Sequence, residues 1–213
     1  MSDLPVPLTD SQRATLDAYA AELARLTRRV NLIAPSTVRD IEARHVAHSL
    51  TIARRPFPAG ATVVDWGTGG GLPAVPLAVA FPDVRFVAVD AVGKKTEAVR
   101  LFARRLGLDN LDVWNGRAEA YDGPAPHYAV SRATAPLLDL WTWFAACRQP
   151  ARGVPPDAWA PGLICLKGGD LGDETAALLD AFPGLDVETE GLAGALGASW
   201  ADKALLHVTE GTA

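Results

Sequence analysis

Apolar residues in the first part of the chain recur with the period of an α-helix. Five of them lie three or four residues apart and share one face: Leu16, Tyr19, Leu23, Leu26 and Val30. Thr9 or Asp10 precedes this face and can cap the first turn. A second helical pattern covers residues 36–55. Its inward positions are Ile41, Val46, Leu50 and Ala53. The pattern predicts an N-terminal region of two helices that ends near Pro56–Gly60.

From residue 58 onward, short β-rich apolar runs alternate with helical ones. The strand candidates are Ala61–Asp65, Arg85–Asp90, Leu111–Trp114, Tyr128–Val130, Leu163–Leu166 and Ala204–Val208. The helix candidates are Leu72–Phe81, Lys94–Leu106 and Leu137–Cys147. The Pro- and Gly-rich residues 149–162 are predicted to form a surface loop. This alternation predicts an α/β fold with a mostly parallel sheet covered on both faces. We therefore divide the chain into a helical N-terminal cap, residues 1–57, and an α/β domain, residues 58–213.

The first strand candidate runs into a glycine loop with the sequence DWGTGGGL. Gly67, Gly69 and Gly71 follow Asp65 in the pattern D-x-G-x-G-x-G, and glycine lets a ligand lie against bare backbone. The helix that follows directs its N-terminal amides at the ligand, where an anionic group is favoured. Asp90 ends the next strand candidate, where its carboxylate can bind both ribose hydroxyls of a nucleoside. The combination predicts a site for a nucleoside cofactor.

Three interpretations of this loop are open, and the pattern favours one of them. Dinucleotide folds that bind NAD carry G-x-G-x-x-G, whereas this loop reads G-x-G-x-G. A purely structural turn would also supply glycines. We interpret the loop as a site for S-adenosylmethionine, in which Asp65 bonds backbone amides of the loop or reaches the methionine amine.

Composition and charge narrow the class of protein. The 213 residues include 2 cysteines, Cys147 and Cys165, without a CxxC pair, which fits a reducing compartment and gives no zinc or disulfide framework. The N-terminus does not read as a signal peptide, and no apolar run has the length of a membrane span. We therefore expect a cytoplasmic protein with no membrane partner. The formal net charge is −5, but residues 1–55 carry 8 Lys and Arg against 6 Asp and Glu. A local basic face can bind phosphates, although solvated helix faces explain the same residues.

Motifs along the chain follow an order typical of one enzyme family. They are DWGTGGGLPAVPLA (65–78), VDAVGKK (89–95), RAEAY (117–121), VSRATAPL (130–137) and LKGG (166–169). Upstream lie VNLI (30–33) and RHVAHSL (44–50). Together they cover most of the chain, and GLPAVPLA with GKK and SRA is more specific than the glycine loop alone. In these motifs the chain resembles the bacterial small-subunit ribosomal RNA guanine-N7 methyltransferases, also called glucose-inhibited division protein B.

The resemblance implies a class I, Rossmann-like S-adenosylmethionine-dependent methyltransferase fold with a seven-stranded sheet and a small helical cap. It implies that Gly67 and Leu72 line the pocket for methionine and adenosine, and that Ala118 and Glu119 hold the adenine edge. Arg132 would lie beside the cofactor and face the incoming base as the catalytic residue. The residues implied to face RNA are Arg44, His45, Lys94 and Lys95. The implied partner is small-subunit (16S) ribosomal RNA or the assembling small subunit, and we expect the protein to act as a monomer.

The helical cap departs from the family pattern at four positions. Leu26–Thr27 stand where the family usually carries Trp-Asn, Ile33 where it carries threonine, and His48 where it carries aspartate. All four positions lie outside the cofactor motifs. The departures therefore bear on the substrate more than on the cofactor, and a different RNA is an alternative acceptor.

The chemistry of the implied reaction agrees with what the sequence lacks. Guanine N7 has an in-plane lone pair and no proton, so its methylation needs in-line approach and no strong general base. The sequence has no (Asn/Asp)-Pro-Pro-(Tyr/Phe) segment for an exocyclic amine, and Cys165 lies in an apolar strand as a core residue. His45 and His48 are three residues apart, but without a third ligand nearby we expect no metal.

Simpler interpretations stand beside these assignments. Arg132 could pair with Asp139 or Asp122 at the surface, and the two lysines of GKK could mark a solvated helix start. The protein could instead methylate a small molecule or a protein, or bind a nucleotide or RNA through a degenerate pocket. The intact glycines and Asp90 argue against a degenerate pocket, and no Tyr-x-x-x-Lys pair supports an NAD oxidoreductase. Three aromatic residues are interpreted as core: Trp114, Trp141 and Trp143.

Overall fold

The sheet of the computed structural model, which describes residues 4–132 and 134–211, has seven strands. In chain order they are β1 (Thr62–Trp66), β2 (Arg85–Asp90), β3 (Leu111–Asn115), β4 (Tyr128–Arg132), β5 (Gly162–Gly168), β6 (Leu185–Gly191) and β7 (Lys203–Glu210). Their spatial order is β3-β2-β1-β4-β5-β7-β6, and β7 runs antiparallel to both of its neighbours. The first five strands pair in parallel. The predicted mostly parallel sheet is confirmed.

The helices are α1 (Asp10–Thr27), α2 (His48–Leu50), α3 (Ala74–Ala80), α4 (Gly93–Leu106), α5 (Leu137–Cys147), α6 (Gly172–Ala181) and α7 (Ala193–Leu196). Three helices, α3, α4 and α5, lie within two residues of their predicted bounds, whereas α6 and α7 were not predicted. Shorter 3-10 turns cover Pro35–Asp40, Thr51–Arg54, Ala118–Ala120 and Ala198–Trp200, and a π-helical turn covers Glu42–Ala47. Residues 149–161 contain neither helix nor strand, as predicted, but the loop does not lie wholly at the surface, because Ala158 and Trp159 are buried. Within the described ranges, no helix is both long enough and apolar enough to cross a membrane.

Helix α1 begins with a capping box. Thr9 is the capping residue: its hydroxyl accepts a hydrogen bond from the Gln12 amide at 3.2 Å, and the Gln12 side chain accepts one from the Thr9 amide at 2.9 Å. This exchange satisfies two amides that the helix itself leaves unpaired. Leu16 and Tyr19 are fully buried on the predicted face.

The second predicted helix is helical but irregular. Residues 35–54 change from 3-10 to π, then to α, and then to 3-10 geometry again. A regular amphipathic helix exposes part of every turn, whereas His45, Val46 and Ala47 are consecutive and all buried. The π-helical turn therefore carries a histidine into the interior that a regular period would not have assigned there.

Helix α6 and strand β6 were not predicted from the residue pattern, although the family resemblance implied a seventh strand. The sequence of β6 is LDVETEG, and most of its residues are exposed. An edge strand paired on one side needs few apolar residues, and its charges discourage pairing with other chains. Its weak hydrophobic alternation explains why the pattern missed it.

Side chains of β1 alternate between two cores. Val63 packs into the core that contains Tyr19 and Leu50 of the cap. Val64 packs into the core on the other face, with Trp141 of α5. Successive side chains of a strand point to opposite faces, so β1 joins the cap side to the α5 side. The cap therefore shares one hydrophobic core with the sheet. The domain boundary at residue 57 stays a prediction.

Candidate functional site

A cavity of about 490 Å³ opens at the carboxyl ends of β1, β2, β3 and β4. The sheet order reverses between β1 and β4, and open α/β sheets bind ligands at such a switch point. The lining residues that the motifs predicted are Gly67, Gly69, Leu72, Asp90, Lys95, Ala118, Glu119 and Arg132. Segments far apart in the sequence thus meet around one space.

The glycine loop turns sharply as it leaves β1. Gly67 has a φ of +70°, and a Cβ built on it would lie 2.0 Å from Cγ2 of Thr134. Only glycine fits this position, because any side chain would be strained and would collide with Thr134. The Thr68 amide donates to the Val89 carbonyl at 2.8 Å, which anchors the loop to β2.

Asp90 holds the glycine loop from the end of β2. Its Oδ2 accepts a hydrogen bond from the Gly69 amide at 3.0 Å, and its Oδ1 accepts one from the Val92 amide at 2.9 Å. The Lys95 ammonium lies 3.9 Å from Oδ2, and the Asp90 side chain is 8% exposed. The Asn115 amide group donates to the Asp90 carbonyl at 3.0 Å, which ties the end of β3 to β2. The carboxylate is therefore fixed in place at the cavity wall.

The cap packs directly against the glycine loop. The Tyr19 hydroxyl of α1 donates a hydrogen bond to the Gly70 carbonyl at 2.8 Å. A Cβ on Gly70 would lie 2.9 Å from Cδ1 of Leu23 and 3.3 Å from Cβ of Leu32. Leu32 also lines the cavity. Part of the glycine loop is thus shaped by residues of the N-terminal cap.

Asp65 and Gly71 lie behind the loop, and neither lines the cavity among the described residues. Asp65 is fully buried, and its Oδ2 accepts a hydrogen bond from the Ala74 amide at 3.1 Å. Burial raises the pKa of Asp65 to about 7. A Cβ on Gly71 would lie 2.6 Å from Cγ2 of Val75. Asp65 thus bonds the first amide of α3 rather than an amide of the loop, and direct contact of either residue with a cofactor stays a prediction.

Arg132 reaches from the end of β4 to the cap. Its Nη1 lies 2.9 Å from Nδ1 of His45, and its Nε has no partner among the described residues. It forms no ion pair there with Asp139 or Asp122, and Asp122 instead accepts from the Trp114 indole at 3.0 Å. Burial lowers the pKa of the Arg132 guanidinium from its ordinary value. The simpler interpretation of a surface ion pair is therefore not supported.

Four residues were predicted to face RNA, and the structure separates them. Lys94 is exposed, and Arg44 is exposed with Asp40 at 3.5 Å. Lys95 is partly buried and lines the cavity. His45 is 7% exposed, and both ring nitrogens are bonded within the protein. RNA contact stays a prediction for Arg44, Lys94 and Lys95, while the imidazole of His45 has no free polar atom to offer to RNA.

Several lining residues were not predicted as site residues. They are Leu32, Thr68, Gly70, Val89, Ala91, Gly116, Arg117, Thr134 and Trp143. Most of them flank a predicted motif at the carboxyl end of a strand, so the topology rule could have found them. Leu32 and Trp143 come from the cap and from α5, and Trp143 had been interpreted as core.

The positions where the cap departs from the family pattern pack inside it. Ile33 and Thr27 are buried, and Leu26 packs partly buried against the same core. The ring of His48 is buried, with its centroid 4.7 Å from that of Trp200. These side chains are absent from the described lining of the cavity. The departures therefore lie in the packing of the cap and not in the described lining of the cavity.

Comparison with solved structures identifies the fold. An O-methyltransferase from Bacillus cereus in complex with SAH has a TM-score of 0.56 at 16% identity, covering 96% of this chain and 93% of its own. Identity at this level carries the fold alone. The fold is the class I, Rossmann-like methyltransferase fold, as predicted.

Comparison of sequences identifies the family. The family model described as rRNA small subunit methyltransferase G matches residues 12–152. The ribosomal RNA small subunit methyltransferase G of Salinibacter ruber is 55% identical over 190 residues, which are 89% of this chain and 88% of that protein. The protein of the same name from Chlorobium limicola is 39% identical over 175 residues, 82% of this chain and 76% of that protein. The chain belongs to the rRNA small subunit methyltransferase G family.

Proposed function

We propose that the protein transfers the methyl group of S-adenosylmethionine to N7 of a guanine in small-subunit (16S) ribosomal RNA, in the cytoplasm. One observation carries the proposal. The glycine loop, the Asp90 carboxylate and the Arg132 guanidinium line a single cavity, in a chain that belongs to an rRNA methyltransferase family. Asp90 would bind the nucleoside of the cofactor at one end of the cavity, and Arg132 would present a positive charge to the acceptor RNA at the other. The reaction needs both kinds of contact.

The residues around Asp90 fit a nucleoside cofactor. A carboxylate offers about four lone-pair positions, and the amides of Gly69 and Val92 use two of them. Two positions are left for the 2′- and 3′-hydroxyls of a ribose. The cavity of about 490 Å³ lies inside the range of about 300–1,000 Å³ that small-ligand sites occupy. Ala118 and Glu119 would hold the adenine edge, and Gly67 and Leu72 the adenosine and methionine.

The reaction asks the protein for orientation rather than for a base. S-adenosylmethionine supplies a methyl group on a sulfonium centre. The lone pair of guanine N7 forms the new bond to carbon as the carbon–sulfur bond breaks, and N7 has no proton to lose. Asp90 is held by two amides, and His45 is bonded at both ring nitrogens. Both side chains are therefore fixed in place rather than free to take a proton. The side chains therefore hold the two reactants in line, which by itself can supply much of a rate enhancement.

The acceptor side of the cavity is cationic. Arg132 lines it from β4 and donates hydrogen bonds only, so it can bind the O6 carbonyl that neighbours N7 on a guanine edge. Arg117 and Lys95 line the same cavity. Lys94 and Arg44 are exposed and can contact the phosphate backbone, which dominates the affinity of proteins for nucleic acids.

Binding and transfer assays test the proposal. In a thermal-shift titration, S-adenosylmethionine and S-adenosylhomocysteine should raise the melting temperature, and NAD should not. Radiolabelled methyl transfer should then appear on small-subunit RNA, naked or in the particle, and not on large-subunit particles. The Asp90→Asn protein should transfer less than wild type, with Asp109→Asn as the matched control because Asp109 is exposed in a turn. Stabilisation by NAD alone, or transfer only to large-subunit RNA, would refute the proposal.

A further inference from the structure

A chain of hydrogen bonds links Arg132 to the backbone of the cap. Arg132 Nη1 lies 2.9 Å from His45 Nδ1, and His45 Nε2 lies 2.7 Å from the Thr37 hydroxyl. The Thr37 hydroxyl donates to the Ala34 carbonyl at 2.8 Å. These three contacts join two segments that are 87 residues apart in the sequence.

The donor and acceptor roles along this series of hydrogen bonds follow from the groups at its two ends. A guanidinium has donors and no acceptor, and a carbonyl is an acceptor only. His45 Nδ1 must therefore accept from Arg132, so Nε2 carries the proton and donates to Thr37. The Thr37 hydroxyl accepts that bond and donates its own hydrogen bond to the Ala34 carbonyl. Each donor has one acceptor only when His45 is the neutral Nε2–H tautomer.

The surroundings of His45 keep the imidazole neutral and fixed. His45 lies in the π-helical turn Glu42–Ala47 and is 7% exposed. Its carbonyl accepts a hydrogen bond from the Ser49 hydroxyl at 2.7 Å. Burial, and then the positive charge of Arg132, lowers the pKa of His45 to about 4. Single turns of π-helix often occur at functional sites.

A neutral acceptor leaves the charge of Arg132 available. A carboxylate at position 45 would pair with the guanidinium and cancel its charge, whereas a neutral imidazole orients one nitrogen without doing so. Arg132 Nε has no partner among the described residues, and Arg132 lines the cavity. A buried cation with part of its donors unused is costly unless something else binds them. The remaining donors are therefore suited to a ligand with a carbonyl or anionic oxygen.

We propose that His45 is a positioning residue that accepts from Arg132 Nη1 and so aims the rest of the guanidinium at the ligand in the cavity. Thr37 is the second positioning residue, because it fixes the tautomer of His45. This inference rests on the role of Arg132 in the proposed function. It assigns His45 a task inside the site in place of direct contact with RNA.

Two substitutions at each hydrogen-bonded position, one that removes the bonding group and one that keeps it, test this inference. His45→Phe keeps a ring and removes the acceptor, while His45→Asn keeps an amide oxygen near the position of Nδ1. Thr37→Val removes the hydroxyl, while Thr37→Ser keeps it. A hydrogen bond to a charged group is stronger than one between neutral groups, so His45→Phe should lower kcat/KM for small-subunit RNA about ten- to hundredfold and Thr37→Val about two- to tenfold. The partner variants His45→Asn and Thr37→Ser should each retain more activity.

A double-mutant cycle separates positioning from simple loss of packing. In an Arg132→Met background there is no guanidinium to position, so His45→Phe should have almost no further effect on kcat/KM. Equal effects of His45→Phe in the two backgrounds would overturn the inference, and so would a harmless His45→Phe in the wild-type background. If His45→Phe does not fold, the Thr37→Val and Thr37→Ser pair is measured in the same two backgrounds and judged in the same way.

The tautomer provides a readout that does not depend on activity. The chain has 4 histidines, so imidazole ¹⁵N resonances can be assigned by substitution. His45 should show the Nε2–H tautomer at neutral pH, and an Nδ1–H tautomer or a charged ring there would overturn the inference. If the wild-type protein methylates small-subunit RNA but Arg132→Met is fully active, this inference fails and the proposed reaction stands. If the wild-type protein transfers no methyl group, the proposed function fails, while the tautomer still tests the hydrogen-bonded chain.

Discussion

Replacing Asp90 by asparagine perturbs a buried carboxylate that serves both the glycine loop and the proposed ribose site. The two oxygens of Asp90 accept from the amides of Gly69 and Val92 at 3.0 and 2.9 Å. Asparagine keeps one oxygen and turns an NH₂ group toward one of these amides. A donor then faces a donor, and the charge that strengthens hydrogen bonds from ribose hydroxyls is lost.

The size of both effects follows from these contacts. One unsatisfied buried amide costs about 1–3 kcal/mol, and for a chain of this size each kcal/mol lowers the melting temperature by about 2–4 °C. A hydroxyl bonded to a charged acceptor contributes about 1.5–3 kcal/mol. The loss of one such bond weakens binding about 10- to 150-fold. Asp90→Asn should therefore be moderately less stable and should bind S-adenosylhomocysteine at least about tenfold more weakly.

Calorimetric titration measures the second effect, with Asp109→Asn as a control of equal charge change. A 2′-deoxy analogue of S-adenosylhomocysteine separates ribose contact from loop damage. Wild type should bind the deoxy analogue more weakly than the parent compound, whereas Asp90→Asn should discriminate little between them. If Asp90→Asn binds the parent compound within about threefold of wild type at an unchanged melting temperature, the assigned role of Asp90 is refuted.

Three further predictions concern the loop and the cap. Gly67→Ala puts a Cβ 2.0 Å from Thr134, so calorimetry should show at least about tenfold weaker S-adenosylhomocysteine binding with the circular dichroism spectrum retained. Tyr19→Phe removes the bond to Gly70 and should lower the free energy of unfolding by about 0.5–1.5 kcal/mol; unchanged denaturant curves would contradict this. Burial lowers the pKa of His48 from 6.5 to about 3, so the neutral ring favours the folded state above pH 6.5, and this advantage is lost as the pH falls toward 3. His48→Phe should therefore lose less stability than wild type on acidification, and parallel stability–pH curves would show the prediction to be wrong.

The parts of the fold and site that the sequence predicts are those whose cause is local. The buried face of α1 follows from a period of three to four residues, and Thr9 caps its start because a hydroxyl is available there. The glycine loop and Asp90 lie on adjoining segments, one helix and one strand apart, so a contiguous motif identifies them. Gly67 has a φ of +70° because the chain turns sharply there as it leaves β1, which is also a local cause.

The parts that the sequence could not predict depend on contacts between distant segments. Arg132 and His45 are 87 residues apart. From the sequence, Arg132 is assigned to the incoming base and His45 to contact with RNA, and the two are not linked. The hydroxyl of Tyr19 bonds the glycine loop, but a period assigns only the ring to the core. The motif predicts the same cofactor contact for all three glycines, whereas Gly71 packs on Val75 behind the loop. A polar edge strand such as β6 leaves too weak a pattern to be recognised.

Nucleoside mass spectrometry of small-subunit ribosomal RNA tests whether the protein methylates a guanine of that RNA at N7. RNA would be taken from cells with the gene, from cells without it, and from deletion cells carrying the wild-type or the Asp90→Asn gene. We expect one 7-methylguanosine to be lost on deletion, restored by the wild-type gene and not fully restored by Asp90→Asn. An unchanged 7-methylguanosine content of small-subunit RNA after deletion would contradict this expectation.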